Sequence, residues 1–124
     1  VAELFIKYTK ESDDLGVALT ELRDLTPDLG PSGRSADALL AEATVWAPLH
    51  YRWVYATALQ EDRPSSLTDA SDTLLSLVST VADEVRRESP PGYPPIGELL
   101  DEIAATASRM MWLGARVAEA VEGI

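Results

Sequence analysis

The residues of this chain able to do chemistry are few and clustered. The stretch "TVWAPLHYRWVYATAL", Thr44 to Leu59, holds the only histidine, His50, between Trp46 and Trp53, with Tyr51, Arg52 and Tyr55 alongside. An imidazole between two indoles has two uses. It can be a packed core residue with one ring N–H satisfied, or the polar centre of a ligand pocket lined by Trp46, His50 and Trp53. As a catalytic base His50 lacks company, because no serine stands in a nucleophile-elbow context. The chain has no cysteine, which removes disulfides, thiolate metal sites and cysteine nucleophiles together. One histidine cannot build a His-rich metal site. Zinc-protease and P-loop motifs are absent, as is the Glu-x-x-His pair of di-iron bundles. "GPSGRS" leads glycines and Ser35 toward a helix start beside Arg34, but it has neither the lysine nor the preceding strand of a phosphate loop.

The remaining chemical pattern is a set of carboxylates: Asp83, Glu84 and Glu88, then Glu98, Asp101 and Glu102. Clustered oxygens are what magnesium requires. In its short Glu98-x-x-Asp101 element the set resembles the acidic helices of the all-α nucleotide pyrophosphohydrolases. That resemblance implies a magnesium-dependent nucleotide hydrolase using Glu84, Glu88, Glu98 and Asp101. The Glu-Glu-x-x-Glu element of that family is not reproduced, since Arg87 stands four residues after Asp83. Helix-end acids on a solvated face account for the same residues. No catalytic residue, metal or cofactor is therefore assigned.

Composition narrows the classes further. Ten basic residues against 21 acidic ones give a net charge of −11, which opposes nucleic-acid binding through cations on phosphates. No apolar run approaches the ~18 residues of a membrane span. "VAELFIKYTK" has no apolar stretch ending in a small-residue cleavage site, so no signal peptide is expected. A start at Val is compatible with processing or with an excerpt from a longer chain. These features together predict a soluble, cytoplasmic protein.

The elements that must position these residues read as four helices in one domain, 1–124. The first runs from Val1 to about Leu25, with Val1, Leu4, Phe5, Tyr8, Leu15, Ala18, Leu19 and Leu22 on one face. The β-prone "LFIKYT" leaves a short strand before a helix from Asp13 as the alternative. "TPDLGPSGR" is a loop, and Ser35 caps a second helix that runs to about Asp62 with Pro48 inside it. A third helix follows "RPSS", capped by Ser65 or Ser66, and "SPPGYPP" ends it. The last spans about Gly97 to Val121. Four such helices with short connections predict an all-α, antiparallel, up-down-up-down bundle with a Pro-kinked second helix.

The second helix has two apolar sides. At about 100° per residue, Leu39, Ala43, Trp46, His50, Trp53 and Thr57 share the stripe expected to enter the core, with Val54 at its margin. Leu40, Thr44, Tyr51, Tyr55, Ala58 and Leu59 lie on the other side, near Arg52. A helix apolar over most of its circumference is surrounded, by three neighbours or by another chain. On the last helix Trp112 points away from Met110 and Val117, flanked by Arg109 and Arg116. Trp, Tyr and Arg are the types enriched at interface hot spots. Tyr51, Tyr55, Leu59, Arg52 and Trp112 are thus the expected partner-binding residues. The function expected is a non-enzymatic protein–protein interaction module, self-associating through the second helix. A small-molecule domain built on Trp46, His50 and Trp53 is the alternative.

Overall fold

The computed structural model describes residues 1–65, 67–88 and 96–123. Ser66 and the "SPPGYPP" segment, Ser89 to Pro95, lie outside the described residues. Four α-helices follow one another: α1 Ala2–Leu25, α2 Gly33–Ala58, α3 Leu67–Glu88 and α4 Gly97–Glu122. No strand occurs among the described residues, and "LFIKYT" lies inside α1. The first helix is thus continuous, as its apolar periodicity requires. Val1 is the exception on that face, standing outside the helix and exposed as its N-cap.

The helices alternate in direction. Phe5 meets Tyr55 while Tyr8 meets His50, so α1 and α2 run antiparallel. Trp46 reaches Ser71 from α2 to α3, and Arg109 reaches Glu11 from α4 to α1. The bundle is not square in section. α2 and α4 pack against each other as well as against both flanking helices, while α1 and α3 share no contact among the described residues. Ala43, Ala107 and Gly114 keep the α2 and α4 surfaces low where they are buried. The core they complete contains Tyr8, Leu15, Leu22, Leu39, Trp46, Val54, Leu74, Ile103, Met110 and Val117.

The ends of α2 differ from expectation at both sides. "TPDLGPSGR" forms two 3₁₀ turns, Thr26–Asp28 and Gly30–Ser32, each with proline early in the turn where no N–H is needed. The helix then begins at Gly33 with Ser32 before it, so Ser35 is an interior residue and not a cap. At the other end the helix stops at Ala58, not near Asp62. Gln60 takes φ 57°, while Glu61 N–H bonds the Ala56 carbonyl and Gln60 N–H bonds that of Thr57. This is a Schellman closure made without the usual glycine.

Pro48 sits inside α2, which continues through it. Its ring lies on the exposed side, so the Thr44 carbonyl it leaves without an intrahelical donor faces water and not the core. No helix among the described residues is long and apolar enough to cross a membrane.

Candidate functional site

The centre of the bundle is a polar-aromatic stack. His50, 2 % exposed, lies near-parallel to Trp46 at 4.8 Å between ring centroids and to Trp53 at 6.3 Å. Its Nδ1 is 2.7 Å from the Tyr8 hydroxyl. Tyr8 is itself fully buried, and no buried polar side-chain atom lacks a partner among the described residues. The phenol proton has no acceptor but Nδ1, because a proton already on Nδ1 would leave the buried O–H unpaired. Tyr8 therefore donates, and the imidazole carries its own proton on Nε2. Burial lowers His50 to about 4, which keeps the ring neutral at physiological pH. Burial, with Tyr51 close by, raises the Tyr8 phenol well above its ordinary range.

Trp46 is closed off completely. Its indole N–H donates to Ser71 Oγ at 2.9 Å, and its ring is fully buried. Trp53 is only half-buried and carries the Arg63 guanidinium 5.0 Å over its ring, with Arg63 also 3.7 Å from Glu122. The core stripe is thus rotated from the expected one. Val54 is fully buried and Trp53 stands at the margin. The reason is Gly114: a Cβ there would lie 3.1 Å from Val54 Cγ2 and 3.3 Å from His50 Cε1. α4 approaches α2 at that point only because it has no side chain.

Beside this stack, α2, α3 and α4 leave a cleft of about 230 Å³ lined by His50, Trp53, Leu67, Thr68, Ser71, Asp72, Met111 and Ala115. Of the expected pocket residues it contains His50 and Trp53 but not Trp46. The cleft holds no nucleophile paired with a base, since the hydrogen bond of His50 goes to Tyr8 and that of Ser71 to Trp46.

The opposite side of α2 carries the exposed aromatics. Tyr51 and Tyr55 stack at 6.2 Å and 12°, and Phe5 of α1 meets both edge-on. They remain 40 % and 48 % exposed, and Leu59, one turn further, 49 %. Arg52 is exposed beside them. α2 is indeed surrounded by three helices, and these still leave this strip uncovered. No Asp or Glu occurs between Glu42 and Glu61, so the strip is free of acid in an acidic chain.

Trp112 does not belong to this surface. It shares a separate cleft with Lys7, Lys10, Glu11, Arg109 and Leu113, on the flank of α1 away from Phe5. It is 61 % exposed, with Arg116 over its ring at 5.7 Å. Arg109 turns instead to Glu11 at 3.0 Å and to Thr106.

Among the described residues the carboxylates form no cluster. Glu84 borders an open basin with Arg23, Arg34, Asp37 and the 3₁₀ turns, where the acids offset the arginines. Glu98 and Asp101 are exposed on α4, and the Glu88 side chain lies outside the described positions. No three His, Asp or Glu side chains among the described residues are placed to hold a metal ion.

Tyr8, Ser71 and Gly114 complete the centre of the molecule, and each comes from a different helix. Of these, only Tyr8 stood out in the sequence, and then only as one apolar-stripe residue. No protein-family model matches the chain, and neither the curated proteins nor the solved structures contain a match to it.

Proposed function

We propose that this protein is a non-enzymatic helical interaction module, and that its simplest partner is a second copy of itself. The observation that carries this reading is the exposed Tyr51–Tyr55–Leu59 strip, with half-buried Phe5 against its tyrosines, on an α2 segment free of acids in a chain of net charge −11. Two such chains repel over most of their surfaces. The strip is where they can meet without opposing carboxylates, and its aromatic rings are rigid anchors of the hot-spot type. A two-fold contact uses each residue twice, so Tyr51 of one copy and Tyr55 of the other can stack reciprocally. Arg52 at the edge supplies a cation to the acidic flank of the partner.

Size-exclusion chromatography with light scattering tests the idea. The wild-type chain is expected to run as a dimer, and Tyr51→Glu with Tyr55→Glu as a monomer with unchanged helical circular dichroism. Each tyrosine retains roughly 100 Å² to bury, worth about 2 kcal/mol, so the double variant should weaken association at least 100-fold. A wild-type chain that stays monomeric at every concentration, or a dimer indifferent to both substitutions, would rule the reading out.

A further inference from the structure

We infer that the cleft between α2, α3 and α4 is a binding site for a small, neutral, planar aromatic molecule carrying a hydrogen-bond acceptor on its edge. The inference is independent of self-association, because the cleft and the Tyr51–Tyr55 strip lie on opposite sides of α2.

The first support is a donor on an enclosed side chain that has no protein partner. His50 is 98 % enclosed, its Nδ1 is taken by Tyr8, and its proton is on Nε2. Every fully enclosed polar side-chain atom among the described residues has a partner, and Nε2 has none. Nε2 therefore reaches accessible space, and this cleft is one that His50 lines. A second donor, Ser71, lines the same cleft. Ser71 accepts the Trp46 indole N–H, and its own O–H has no acceptor among the hydrogen bonds of the described residues. Two donors lining one cleft call for an acceptor.

The walls set the rest of the ligand. Trp53, Leu67, Met111 and Ala115 present an indole face, a thioether and aliphatic surface, which suit a flat ring. At about 230 Å³ the space falls below the ~300 Å³ usual for drug-sized ligands, so it admits one or two fused rings. Asp72 at the mouth and the net charge of −11 disfavour anions. A metal ion is disfavoured as well, because the proton occupies the imidazole nitrogen that would have to ligate it.

Quinoline and naphthalene separate the terms of this argument, since they match in shape and differ by one ring nitrogen. Both are titrated into the 15N-labelled full chain at pH 7, following the His50 Nε2 and Trp53 Nε1 resonances. Quinoline is expected to shift both signals, and naphthalene to bind about tenfold more weakly, the value of one hydrogen bond. Quinoline-2-carboxylate is expected to bind more weakly than quinoline. Ala115→Phe fills the mouth from an exposed position and should abolish the shifts while the helical spectrum is kept. The Tyr51→Glu, Tyr55→Glu variant should bind quinoline like the wild type, which separates this site from the proposed dimer. Equal binding of quinoline and naphthalene, no perturbation by either, or full binding to Ala115→Phe overturns the inference.

Discussion

Lowering the pH should destabilise this protein through His50, and the size of the effect follows from its burial. In the unfolded chain the imidazole titrates at its ordinary value near 6.5. In the folded chain burial lowers it to about 4. Between those values the unfolded state binds the extra proton, so acidification favours unfolding. The contribution of the neutral ring is complete above the unfolded value and disappears as pH falls through the folded one. Relative to pH 7 the loss is about 2 kcal/mol at pH 5 and about 3 kcal/mol at pH 4. The groups around the ring do not offset it. Tyr8 on α1 is a neutral donor to Nδ1, the α4 neighbours Met111, Gly114 and Ala115 carry no charge, and Asp72 on α3 is exposed at the cleft mouth. Urea unfolding followed by circular dichroism at pH 7 and pH 5 measures the loss. The comparison is with His50→Gln, whose amide oxygen can still accept from Tyr8 but does not titrate. Effects of the many surface carboxylates are common to both proteins and cancel in the difference. The wild type should lose about 2 kcal/mol more than the variant over that interval. Identical pH dependence in the two would show that the ring is not held neutral by the core, and the tautomer assigned to it would fall with that result.

Two further substitutions probe the backbone of the same region. Gly114→Ala gains about 1 kcal/mol of helix propensity but places a methyl 3.1 Å from Val54 Cγ2 and 3.3 Å from His50 Cε1, both buried and unable to retreat. A net loss of about 1 kcal/mol is expected in urea denaturation, and a gain would mean that α4 can move off α2. Gln60→Gly should do the reverse. Glycine relieves the left-handed conformation that closes α2, and a gain of about 0.5–1 kcal/mol is expected, read as a higher thermal midpoint.

What the sequence made legible were the features written locally. The apolar stripes of α1, α3 and α4 and the breakers at Thr26–Arg34 mark the helices to within a few residues, because period and proline act on neighbouring positions. The end of α2 was not legible, because Gln60 adopts a conformation that sequence reserves for glycine or asparagine. The rotation of the α2 stripe, with Val54 in and Trp53 at the margin, was hidden for a different reason. It depends on a glycine on α4, and angles measured on one helix carry no information about its neighbour's height. Trp112 shows the same limit. Its outward direction was readable on its own helix, but its separation from Tyr51 and Tyr55 depends on which flank of α1 it faces. Tyr8 and Ser71 join His50 and Trp46 across separations of 42 and 25 residues, beyond any local pattern.

The oblique section of the bundle has a consequence for how it opens. α2 and α4 touch across the short diagonal, while among the described residues α1 and α3 lean on that pair and not on each other. Either flanking helix can lift without loosening the other, so opening divides into two independent motions of unequal meaning. When α3 lifts, the Trp46–Ser71 bond breaks and the His50 cleft loses one wall. When α1 lifts, Tyr8 leaves Nδ1, and Phe5 leaves the tyrosines it partly covers. The diagonal pair is the hinge post of both doors, and its amides are the ones that wait for the whole chain to unfold.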